Sequence, residues 1–188
     1  MKTTKVALFL VGAGMATLFF ASCSKKDNTS STKPTLYDSL GGTTMVQDPA
    51  ASSGTKIEAG RLLIRNIIDS TIFVIAGDTA INGHFTTLLS EVGSGNLSGF
   101  QALSKNLTDF VAVATGAKDY TYGGKSMVAA HDPAQNPRMN GKADNGDFDA
   151  FEADLVAGAG KAGVPSSTPA LQSVAKLVES LRSQVVQQ

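Results

Sequence analysis

The chain has a single cysteine, Cys23, so no disulfide can close within it and no C-x-x-C pair exists to hold a metal or a covalently attached group. It lacks tryptophan and has two histidines, His84 and His131, far apart in sequence. With no Ser/His/Asp set and no histidine beside paired carboxylates, ordinary side-chain catalysis is without its usual parts. Charge of either sign is not in excess: 16 basic residues balance 16 acidic ones and no basic stripe occurs, which argues against a nucleic-acid partner. The 42% hydrophobic and 6% aromatic content is ordinary for one globular domain plus appendages in 188 residues.

The one long apolar run, Val6 to Phe20, follows Lys2 and Lys5 and ends in Ala21-Ser22-Cys23. A charged start, an apolar middle and small residues before a cut describe a secretory signal, and a run this short with two glycines does not suit a bilayer span. Phe20-Ala21-Ser22-Cys23 resembles a bacterial lipoprotein lipobox, with Phe20 where an aliphatic residue is usual. The resemblance implies a signal peptide over 1–22, lipid attachment at Cys23 and a mature protein held to a membrane of the cell envelope. Residues 23–34, polar and ending in Lys33-Pro34, then read as a flexible tether, and the folded domain spans 35–188.

Hydrophobic periodicity predicts helices through that domain. Leu36-Tyr37-Asp38-Ser39-Leu40 makes a short turn stopped by Gly41-Gly42, and the small polar stretch Thr43 to Thr55 reads as an inserted surface loop. From Lys56 to Ala76, Ile57, Ile64, Ile68, Ile72 and Ile75 fall on one helical face. Asp78 reads as the cap of a helix carrying Ile81, Phe85, Leu88, Leu89 and Val92, with His84 off the stripe and facing solvent. Asn96 to Ala114 places Phe100, Leu103, Leu107 and Phe110 on one face, with the Asn106 amide at its border needing a partner. After a loop from Asp132 to Asn145, Asp147 reads as the cap of a helix with Phe148, Phe151, Leu155 and Ala159. Thr168-Pro169 opens the last helix, whose core face runs Leu171, Val174, Val178, Leu181 and Val185. No persuasive strand and no repeat occurs, so the fold class is all-α.

The chemistry concentrates in Tyr122-Gly123-Gly124-Lys125-Ser126-Met127-Val128-Ala129-Ala130-His131. If its end is helical, the Met127 carbonyl lies one turn before His131 and can take the Nδ1 proton, leaving the other ring nitrogen for a metal. Gly124-Lys125-Ser126 imitates the end of a phosphate-binding loop, but the required first glycine is Asp119, whose charge opposes phosphate. Gly141 to Glu152 imitates part of a calcium loop, yet Gly141 and Ala143 stand where oxygen ligands are required.

The pattern Tyr-x-Gly-x-x-Met-x-x-Ala-His at 122–131 resembles the proximal segment of truncated (2-on-2) haemoglobins, group I-like bacterial globins. Leu36-Tyr37 with Gly41-Gly42, Phe148-Asp149-Ala150-Phe151 and Gly163-Val164-Pro165 resemble further parts of that family, so the likeness runs from Leu36 to about Val186. It implies a globin-like 2-on-2 helical sandwich with extended loops and one non-covalent haem b per chain, with His131 on the iron. The other cofactor-binding positions it implies are Phe85, Asn106, Met127, Tyr122, Ile72 and Leu103. A diatomic gas, oxygen or nitric oxide, and a reductant are the implied partners, with detoxification of nitric oxide or peroxide as the enzymatic variant. Two positions depart from the family: Ile72 stands where a tyrosine hydroxyl would donate to bound oxygen, and Asn106 where a glutamine would. Losing the tyrosine weakens oxygen retention. The second reading is a globin-like lipoprotein without haem, acting as a helical interaction module.

Overall fold

Thr35 starts the fold by capping a one-turn helix, α1 (Leu36–Ser39), reciprocally. Its hydroxyl accepts from the Asp38 N–H at 3.1 Å and the Asp38 carboxylate accepts from the Thr35 N–H at 2.7 Å. Gly41 and Gly42 then turn the chain with φ of 118° and 58°, a region where a side chain is strained. The turn lays Tyr37, 1% exposed, against Gly60, where an added Cβ would come within 2.9 Å of the ring. The Tyr37 hydroxyl donates to Glu58 at 2.5 Å; burial first, and that carboxylate second, push the phenol well above its ordinary pKa. The computed structural model describes residues 33–188; the expected signal peptide, Cys23 and the part of the expected tether up to Thr32 lie outside the described residues.

Within the stretch expected to be a loop, Thr43 to Thr55, Met45–Gln47 is instead a strand, β1, paired antiparallel with β2 (Lys56–Glu58) and with Val46 opposite Ile57. Small polar residues carry no alternating pattern to betray it. What fixes it is remote in sequence: Asp48 receives both guanidinium nitrogens of Arg65 at 2.6 and 3.1 Å, a bidentate pair that ties the hairpin to the following helix. That helix, α2 (Ala59–Gly77), therefore begins three residues later than its isoleucine pattern suggests, because Ile57 belongs to the strand.

A 3₁₀ turn (Asn82–Phe85) and α3 (Thr86–Gly93) come next, then α4 (Ser98–Thr115), α5 (Met127–His131), α6 (Asn145–Lys161), α7 (Pro169–Glu179) and α8 (Arg182–Val185). Asp78 ends α2 rather than capping the next helix: the following 3₁₀ turn starts after Ile81, and the Asp78 carboxylate accepts from the Ala80 N–H at 2.9 Å, ahead of that turn. Asp144, not Asp147, caps α6; Asp147 stands at the third helical position and completes the capping box. The last apolar stripe is cut after Ser180, whose hydroxyl turns back to the Leu177 carbonyl at 2.5 Å, and α8 is held by Arg182, paired with Glu179 at 2.8 Å and Asp149 at 2.7 Å. The described residues are mostly helical, in keeping with the expected all-α class.

The core forms around α2, whose Ile64, Ile67, Ile68, Thr71, Ile72 and Ile75 are buried at spacings of three and four. Each fully buried isoleucine contributes about 1.5–3 kcal/mol. This face packs on α6 and α4. Contact with α6 depends on Gly158, where a Cβ would fall 2.6 Å from the Thr71 backbone nitrogen. Backbone cannot give way as a side-chain tip can, so Gly158→Ala is expected to lower stability by about 2–3 kcal/mol through overpacking. Gly160, two residues on, has open space around the same position and should gain stability as alanine, by up to about 1 kcal/mol of helix propensity. Thermal or urea unfolding of the two variants checks the opposite signs.

Candidate functional site

His131 is the last residue of α5, a helix of five residues started by Ser126, whose hydroxyl accepts from the Ala129 N–H at 3.2 Å. One turn back, the Met127 carbonyl accepts from Nδ1 of His131 at 2.8 Å. The local spacing thus fixes the tautomer: the proton sits on Nδ1, and Nε2 keeps its lone pair. Burial pushes the ring's pKa below the ordinary 6.5 against the pull of the Met127 carbonyl, and the nearby His84 adds to the lowering. A neutral ring with a lone pair directed away from its backbone partner is the state a metal ligand needs.

The ring lines a cavity of about 190 Å³. α2 contributes Ile64, Ile68, Ile72 and Ile75, α4 contributes Leu103, Leu107 and Phe110, and α6 contributes Phe148, Phe151 and Leu155. Val174 and Val178 of α7 close it with Val185 of α8. Only four lining residues, Thr71, His84, His131 and Asp147, carry polar side-chain groups beyond the thioethers of Met127 and Met139.

Of the residues singled out in the sequence, His131, Met127, Phe85, Ile72 and Leu103 all line this cavity. Two do not. Asn106 is exposed and outside the lining, because helical rotation that turns Leu103, Leu107 and Phe110 inward turns Asn106 out. Tyr122 also stands outside: its ring packs edge-on against Phe110, centroids 5.3 Å apart, and its hydroxyl donates to the Lys125 carbonyl at 2.6 Å. Tyr122 thereby backs a wall residue and braces the chain entering α5.

His84 is the residue that periodicity misplaces. Its helical stripe assumed α-geometry, but the local backbone is a 3₁₀ turn, and the side chain, 16% exposed, lines the cavity. Nδ1 meets the Asn140 carbonyl at 2.7 Å and Nε2 meets the Asp147 carboxylate at 3.1 Å. Asn140 also donates its backbone N–H to the His84 carbonyl at 3.1 Å and its amide to the Gly83 carbonyl at 2.9 Å. The long segment after His131 is thus stapled to the 3₁₀ turn, and it brings Met139 and Ala143 into the cavity wall. No pattern within either segment signals a contact 56 residues apart.

No family model matches the chain, and no curated protein matches it in sequence. Among solved structures, a truncated hemoglobin from Tetrahymena pyriformis, a tyrosine-to-phenylalanine variant in the Fe(III) form, matches with a TM-score of 0.56 at 20% sequence identity. The match covers 82% of this chain and 100% of that chain. A likeness at this identity is one of fold, and the all-α architecture built around α2, α4 and α6 is that of a truncated, globin-like helical sandwich.

Proposed function

We propose that the protein is a haem-binding globin, with His131 as the axial ligand of one non-covalent haem b, tethered to the cell envelope by lipid on Cys23. The observation that carries this reading is a buried histidine whose Nδ1 is held by the Met127 carbonyl and which lines an almost wholly apolar cavity. Among the described residues no group of three or more His, Cys, Asp or Glu side chains stands together to hold a metal ion. An iron on His131 must therefore bring its other ligands with it, as a porphyrin does, and apolar walls suit a macrocycle. When bound, the haem supplies an iron that takes a diatomic gas or passes electrons to and from an outside reductant. The protein's part is to hold and orient the imidazole through Met127 and to keep water from the iron with the isoleucine, leucine and phenylalanine walls.

Haemin titration of the domain without its leader tests the reading. The wild type should saturate at one haem per chain with the absorbance of a histidine ligand, and His131→Ala should lose that signature. Absence of haem uptake by the wild type overturns the proposal in favour of a globin-like interaction module.

The depressed His131 pKa sets the sign of an acid effect on the haem-free protein. A group whose folded pKa lies below its unfolded value contributes stability above the unfolded value, near 6.5, that is lost as pH falls through the folded one. Wild-type unfolding should therefore ease as pH drops below about 6.5, and His131→Phe should remove that part of the dependence. Identical pH curves for the two proteins would contradict the burial argument.

For the anchor, the lone cysteine directly after a signal-like run motivates Cys23 as lipid acceptor. Cys23→Ala should leave the precursor unprocessed or move it out of the membrane fraction. A mature, membrane-bound band in that variant contradicts the assignment.

A further inference from the structure

Ligands differ in what they need from the protein around a haem. Carbon monoxide and nitric oxide stay nearly uncharged on ferrous iron, whereas dioxygen, and anions on ferric iron, gather negative charge and are retained by hydrogen-bond donors. A free side-chain N–H or O–H in the pocket is therefore the feature that decides the ligand class.

Among the described residues this pocket has none. The Thr71 hydroxyl donates to the Ile67 carbonyl of its own helix at 2.8 Å. Both ring nitrogens of His84 are spent on Asn140 and Asp147, at 2.7 and 3.1 Å. Asp147 only accepts, from the Asp144 N–H at 2.8 Å and from His84. His131 uses its one N–H on Met127 at 2.8 Å. All three tyrosines of the chain stand outside the lining: Tyr37 donates to Glu58, Tyr122 to Lys125, and the Tyr120 ring lies under Arg61, 4.2 Å from its guanidinium. The amide on α4, Asn106, points to solvent.

Resting on the haem reading above, we infer that this pocket favours ligands that stay nearly uncharged on the iron, carbon monoxide and nitric oxide, over dioxygen and small anions, which carry negative charge there. The selection acts by default: every side-chain polar hydrogen along the walls is already committed, so a charged ligand finds nothing to bind its outer atom, while an uncharged one loses nothing. A helix-bonded threonine hydroxyl and a doubly held histidine keep the site in this condition, because either would have to give up a buried partner to turn inward.

The test is stopped-flow oxygen dissociation, carbon monoxide binding to the ferrous haem-loaded protein and azide binding to its ferric form. Each is measured beside a reference globin that has a hydrogen-bond donor over its iron. Oxygen should leave at least about tenfold faster than from the reference, the factor set by one lost hydrogen bond, and azide should bind about tenfold more weakly, while carbon monoxide affinity stays similar. Oxygen retention equal to the reference overturns the inference. Thr71→Val, which is nearly isosteric, should change the oxygen off-rate by less than about twofold, and a rise of about tenfold overturns the inference by exposing a hydroxyl that turns inward. Failure of the wild type to take up haemin at all is read separately, from absorbance, and overturns the haem proposal itself.

Discussion

How near two helix backbones can come to each other decides most of this molecule. At Gly158 the backbone of α6 lies so close to Thr71 of α2 that no Cβ fits between them. The close approach presses the isoleucine face of α2 toward Phe148, Phe151 and Leu155, and these same residues form much of the cavity wall. It also accounts for Thr71. A hydroxyl trapped at a backbone contact has one acceptor in reach, the carbonyl one turn back, and so is removed from the chemistry of the pocket.

The rotation of α4 about its own axis is the second constraint, and polar groups set it. Asp109 is 5% exposed and lies between Arg61 of α2 and Lys105 of its own helix, each at 2.6 Å. Burial drives that carboxyl up, but the hydrogen bonds from Lys105 and Arg61 outweigh it and hold it below the usual carboxylate range. Ser104 meets Asp69 of α2 one turn earlier, at 2.5 Å. With Ser104 and Asp109 engaged on α2, Leu103, Leu107 and Phe110 face the cavity and Asn106 is carried outward. The apolar character of the pocket is therefore a consequence of which polar residues α4 uses to dock.

Local patterns were readable in the sequence where the physics is local. Met127 and His131 stand one helical turn apart, so their bond follows from spacing alone, and the Gly41-Gly42 turn with its buried tyrosine needs only neighbouring residues and Gly60. Apolar periodicity placed the cavity-facing sides of α2, α6 and α7. What was not readable depends on partners far along the chain. The hairpin rests on Asp48 with Arg65, His84 on Asn140 and Asp147, and the outward turn of Asn106 on contacts between α4 and α2. The likeness to a family located Asn106 by alignment, and an alignment of positions carries no information about how a helix is rotated.

The central claim is that His131 supplies the bond to iron, and resonance Raman spectroscopy of the ferrous, haem-loaded protein addresses it most directly. The wild type should show an iron–imidazole stretching band that shifts when the histidines are labelled with nitrogen-15. That band should be absent from His131→Gly and return when free imidazole is added to fill the vacated space. A band that persists unchanged in His131→Gly would place the iron on another residue and contradict the account.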